Sequence, residues 1–77
     1  GMLVAHDMPL AHFVGELARY RHGRLACDPA IGDLRVSGIY PLSDTTKVLD
    51  MLTRILPVDV RQSTRFWVSV VPHRKNP

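Results

Sequence analysis

The chain has 77 residues, room for one domain, and a domain of that size buries only about 60% of its unfolded surface. With 45% hydrophobic and 22% charged residues it has the composition of a folded globular chain, and no apolar run approaches the roughly 18 residues of a membrane-spanning helix. A net charge of +3 invites a nucleic-acid reading, but the ten basic residues are scattered from Arg19 to Lys75, "HRKN" at His73–Asn76 being the single run, which argues against it.

In chain order, "MLVAH" reads as a short edge strand, with Leu3 and Ala5 on one side and Val4 and His6 on the other. Gly1 directly before Met2 reads as a residue left by removal of a purification tag. Asp7 is the expected cap of a first helix over about Pro9 to His22, where Pro9 suits the first turn and Gly23 the stop. Leu10, Phe13, Val14, Leu17 and Ala18 form its apolar stripe. "RLACD" is a second strand, closed by an Asp28-Pro29 turn signal.

"LRVSGIYPL" is a third strand, with Leu34, Val36, Tyr40 and Leu42 on one face and Gly38 among them, where a side chain would crowd packing or twist. Ser43 is the expected cap of a second helix, with a stripe of Val48, Leu49, Leu52, Ile55 and Leu56 that Pro57 ends. Val58 and Val60 alternate with Asp59 and Arg61, and "QSTR" turns the chain into "FWVSVV" as a terminal hairpin. The expected fold is an α+β two-layer sandwich in the order β-α-β-β-α-β-β, with both helices on one face of a small mixed sheet. Residues 1–77 read as one domain, a fragment of a longer protein, with residues 73–77 as a loose tail.

No pattern of residues supports chemistry. His12 and His22 stand about 15 Å apart along one helix, too far to share an ion with each other, and with His6 and Cys27 they make no metal-ligand spacing. Cys27, the single cysteine, excludes an internal disulfide, lacks the glycine-shaped elbow and oxyanion donors of acyl transfer, and reads as a small hydrophobic strand residue. The carboxylate pairs Asp7 with Glu16 and Asp44 with Asp50 fall at caps or solvated helix positions. "VSGIYPLSDTTK" resembles a phosphate loop in outline only, since Pro41 has no N–H and Asp44 repels an anion. The expectation is therefore no enzyme, no metal and no cofactor.

Four segments together carry a resemblance. "D-x-P-L" at Asp7 to Leu10, "ELARYRHGRL" at Glu16 to Leu25, "DPAIGDLRVSGIY" at Asp28 to Tyr40 and "LPVDV" at Leu56 to Val60 resemble the C-terminal periplasmic region of FecR-type anti-sigma regulators. That region is similar to the secretin and TonB N-terminus short domain. Ala5 departs from the pattern, where relatives have a larger apolar residue, and "SDTT" is less acidic than the expected helix start.

The resemblance implies a periplasmic domain of a single-pass inner-membrane protein. Its partner would be the signalling domain of an outer-membrane TonB-dependent transducer, and the parent would act on a cytoplasmic sigma factor in cell-surface signalling of the iron-siderophore type. It implies no catalytic residues. The alternative is that the chain is itself the N-terminal short domain of a secretin or a TonB-dependent transducer. Trp67, Tyr20 and Tyr40 are the large side chains least committed by the pattern, and are the candidate partner contacts. For Trp67 the competing role is core filling, because so small a core recruits most of its aromatics.

Overall fold

The computed structural model describes residues 1–74, which form β1 (Met2–Pro9), α1 (Leu10–Ala18), β2 (Arg24–Cys27), a 3₁₀ turn (Pro29–Ile31), β3 (Arg35–Pro41), α2 (Thr45–Ile55), β4 (Val58–Thr64) and β5 (Trp67–Pro72). The expected class and the order β-α-β-β-α-β-β both hold. Lys75 and Asn76 of the basic run, and the last residues of the expected tail, lie outside the described residues.

The strands fall into two hydrogen-bonded sets, a partition that alternation alone does not reveal. β1 and β3 form an antiparallel ribbon, while β2, β5 and β4 form a mixed sheet in that spatial order, β2 parallel and β4 antiparallel to β5. The expected terminal hairpin is β4–β5, turning at Arg65 and Phe66 rather than across "QSTR", because β4 runs on to Thr64. α1 packs against β1, β3 and β2, and α2 against β3 and β4, so each helix touches strands of both sets. The core gathers Leu10, Phe13, Val14 and Leu17 of α1, Val48, Leu49 and Leu52 of α2, and Val36, Tyr40, Val58, Val68 and Val70 of the strands.

Four local expectations are corrected. Asp7 caps nothing: it sits at φ +49 in an irregularity of β1 between Ala5 and Met8, its N–H donates to Ser37 Oγ at 2.9 Å, and its carbonyl accepts from Arg35 at 3.1 Å. α1 begins instead after Pro9 with no side-chain cap. Its first amides are satisfied by the loop before β3, Leu10 N–H donating to the Leu34 carbonyl at 2.7 Å and Ala11 N–H to that of Gly32 at 3.1 Å.

α1 also ends at Ala18, four residues short of the expected end at His22, and the chain reaches Gly23 through turns and bends. The cap of α2 is Asp44, whose carboxylate accepts from Lys47 N–H at 3.0 Å, and not Ser43. Ile55 is exposed because the chain leaves helical geometry at Leu56 (φ −127, ψ 156), which takes the inward position itself.

Candidate interaction surface

Of the three sequence-predicted contact residues, the structure withdraws one from the surface. Tyr40 is 3% exposed, its ring lies over Gly38 and edge-on to Phe13, and its hydroxyl donates to the Ser37 carbonyl at 2.8 Å. It serves the core, and burial pushes its phenol above the ordinary value. Gly38, at φ +129, leaves room for that ring: an added Cβ there meets Tyr40 Oη at 3.2 Å. Ala5 stands opposite Gly38 in the register, so this tyrosine occupies the neighbourhood in which a larger residue at position 5 was expected.

Trp67 and Tyr20 are exposed, at 44% and 57%. They lie on different elements, Trp67 on β5 and Tyr20 in the turn after α1. Core filling is thus overturned for Trp67, and alternation explains why. Val68 and Val70 point toward the helices and are buried, which leaves Trp67, exposed, and Ser69 and Val71, half-buried, on the opposite face of the three-stranded sheet. Arg24 of β2 stands beside Trp67 in the register, its guanidinium carbon 5.4 Å from the indole centroid.

Other exposed apolar side chains were missed. Phe66 is 62% exposed in the β4–β5 turn, and Val4 and Ile39, paired in register on the β1–β3 ribbon, are 65% and 60% exposed. The signal for Val4 was present in the alternation of β1, which sets it opposite Leu3 and Ala5. That for Phe66 depends on the turn position.

Several titratable groups are held in structural roles. Asp28 accepts from Ala30 N–H at the 3₁₀ turn, Glu16 meets Arg19 and His12, Asp50 meets Arg54, and Asp59 meets His73. Burial, with the neighbouring Asp28 charge second, pushes the Cys27 thiol up, away from a nucleophilic thiolate. His12 lies on the surface beside Glu16, 3.7 Å away. Among the described residues no group of three or more His, Cys, Asp or Glu could hold a metal ion, and no helix is long and apolar enough to cross a membrane. An open groove of about 730 Å³ runs between α2 and the β4–β5 hairpin, with Leu49, Val60 and Val68 among its walls. Arg21, also on it, donates to the Thr45 and Thr46 hydroxyls at 3.0 and 3.3 Å.

No protein-family model and no curated protein matches the chain. Among solved structures it is similar to a "putative anti-sigma factor" from Parabacteroides distasonis ATCC 8503, seen in two crystal structures. One, at 2.50 Å resolution, aligns with a TM-score of 0.80 and 16% identity, and the other, at 1.65 Å, with 0.79 and 17%. Each alignment covers 96% of this chain and 35% of the other. The likeness shows a shared fold, and the chain spans about a third of the length of the proteins it matches.

Proposed function

We propose that this domain is the receiving module of a FecR-type anti-sigma regulator. It binds the periplasmic signalling domain of an outer-membrane TonB-dependent transducer, and its parent passes the signal through the inner membrane to a cytoplasmic sigma factor. The observation that supports this reading is the fold shared with the Parabacteroides protein over 96% of the chain at a TM-score of 0.80, together with the four segments that resemble the FecR-type region. The domain acts by binding, in keeping with the structural use of its carboxylates and its raised cysteine thiol. Exposed sheet edges, β2 and β4 among them, offer main-chain groups to a partner strand.

The test is an NMR titration of the isotope-labelled domain with the cognate transducer's signalling domain, backed by co-purification. Saturable shifts of a contiguous surface are expected. No shift at high partner concentration overturns the reading. The sequence flanking the domain in its parent gene separates the alternative: a single membrane helix upstream agrees with a regulator, and a β-barrel or secretin region downstream would make the domain a sender or an assembly module.

A further inference from the structure

Among the described residues, the outward face of the three-stranded sheet, opposite Val68 and Val70, combines an aromatic anchor with unpaired positive charge. Trp67 lies on its central strand, with Arg24 alongside on β2 and Arg61 of β4 opposite Ser69, the next outward residue of β5. Neither arginine has a carboxylate partner among the described residues, whose ion pairs are all made by Glu16, Asp50 and Asp59. Asp59 is the one carboxylate carried by these three strands, and it is already taken by the His73 ring at 3.1 Å and the Arg74 N–H at 3.4 Å. Between the arginines stand the small side chains of Ala26 and Ser69, which leave the face low and open to a flat partner; Val71, the next outward residue of β5, lies beside Asp59.

We propose that this face, centred on Trp67 and flanked by Arg24 and Arg61, is a docking surface for an acidic polypeptide segment. The charge fits: guanidinium groups without an internal counterion pair bidentately with carboxylates, and an indole already beside an arginine offers a rigid apolar contact that loses little entropy on binding. A single-stranded nucleic acid fits less well. It requires a series of aromatic platforms for successive bases, and Trp67 is the single aromatic residue on the three strands. In identifying the partner as the transducer's signalling domain, the proposal rests on the function proposed above; in the chemistry of the face it does not.

The experiment follows the indole N–H resonance of Trp67, the single tryptophan of the chain, in the isotope-labelled domain. Two probes, the transducer's signalling domain and a synthetic peptide rich in glutamate and leucine, are titrated separately, with oligothymidylate and anionic vesicles as controls. With the signalling domain, shifts are expected to centre on Trp67, Arg24, Ala26, Arg61 and Ser69, with affinity falling as salt rises. Trp67→Ala is expected to weaken binding about thirtyfold and Arg24→Glu with Arg61→Glu about tenfold or more, while Arg54→Glu on α2 leaves it unchanged. The spectrum of each free variant reports whether it is folded.

Full-strength binding by the arginine variant, or shifts confined to the helices, overturns the docking face and leaves the proposed function standing. If the signalling domain does not bind at all, the proposed function fails, and the peptide decides the face by itself: shifts centred on Trp67 uphold it and their absence overturns it. Binding of oligothymidylate or of anionic vesicles at Trp67, with none of the acidic peptide, also overturns it.

Discussion

The rings of Phe13 and Tyr40 meet edge to face, centroids 5.0 Å apart with planes at 79°, and this contact ties α1 to β3. Tyr40 also turns its hydroxyl back to the Ser37 carbonyl at 2.8 Å, so one side chain joins helix packing to strand geometry. Tyr40→Phe keeps the ring contact and loses the hydrogen bond, and should cost about 0.5–1.5 kcal/mol in urea denaturation. Tyr40→Ala removes both and should cost about 3–5 kcal/mol. Because burial raises the phenol, the hydroxyl's contribution is complete below the unfolded value of about 10 and is lost as pH rises through the folded value. Tyr40→Phe should therefore flatten the alkaline fall of stability.

At the start of α2, Asp44 and Ser43 make opposite predictions although either could cap a helix. The Asp44 carboxylate accepts from Lys47 N–H at 3.0 Å. Asp44→Ala should lower stability by about 1 kcal/mol, since an orphan amide loses its acceptor. Ser43→Ala should leave the denaturation midpoint unchanged within error. An equal loss at both positions would argue that the cap is shared.

This cap marks where the sequence is legible and where it is not. The periodic stripes placed Leu10, Phe13, Val14 and Leu17 on one helix and Val48, Leu49 and Leu52 on the other, because within a helix burial follows spacing; Ile55, at the helix end, escapes it. Alternation likewise sets Trp67 on the face opposite Phe66 and Val68, which holds for buried Val68 and fails for Phe66, exposed in the β4–β5 turn. Ends were harder. Whether Ser43 or Asp44 caps depends on one residue of backbone geometry, and Asp7 was drawn away from α1 by Ser37 and Arg35, both about thirty residues later in the chain. Tyr40 could not be assigned from its own neighbours either, since its fate depends on Phe13 reaching it from another element. The pairing of Arg24 with Trp67 arises from a parallel strand contact across 43 residues, which no local pattern encodes.

Gly23 carries a constraint invisible in the pattern of helix stops. It sits at φ +84, and a Cβ there would meet the Phe66 backbone, with Cα at 2.9 Å and the carbonyl oxygen closer still. The adjacent Arg24 N–H donates to that same carbonyl at 2.6 Å, opening the β2–β5 pairing. Gly23→Ala must strain the left-handed backbone and push the hairpin turn away as well. We expect a loss of about 1–3 kcal/mol, with hydrogen-exchange protection falling first at Arg24 and Leu25. Gly15 is the control: nothing lies within 4 Å of its added Cβ, and it has helical geometry, so Gly15→Ala should stabilise by up to about 1 kcal/mol.

Asp59 and His73 close the start of β4 against the chain leaving β5. The imidazole Nδ1 stands 3.1 and 3.2 Å from the two carboxylate oxygens, Arg74 N–H donates to the carboxylate at 3.4 Å, and the His73 N–H reaches the Pro57 carbonyl at 3.0 Å. The hydrogen bond from His73, more than any other influence, holds the Asp59 carboxyl below its ordinary value. A depressed carboxyl contributes stability above its unfolded value, near 3.9, and loses it as pH falls through the folded value, so the effect lies on the acid side. Because the pair is exposed, the titration midpoint is a sharper readout than stability. Carbon-detected NMR should place the Asp59 midpoint below the ordinary aspartate value of about 3.9, and His73→Phe should move it up toward that value. A midpoint unmoved by that substitution would mean that the Arg74 amide, and not the histidine, holds the carboxylate.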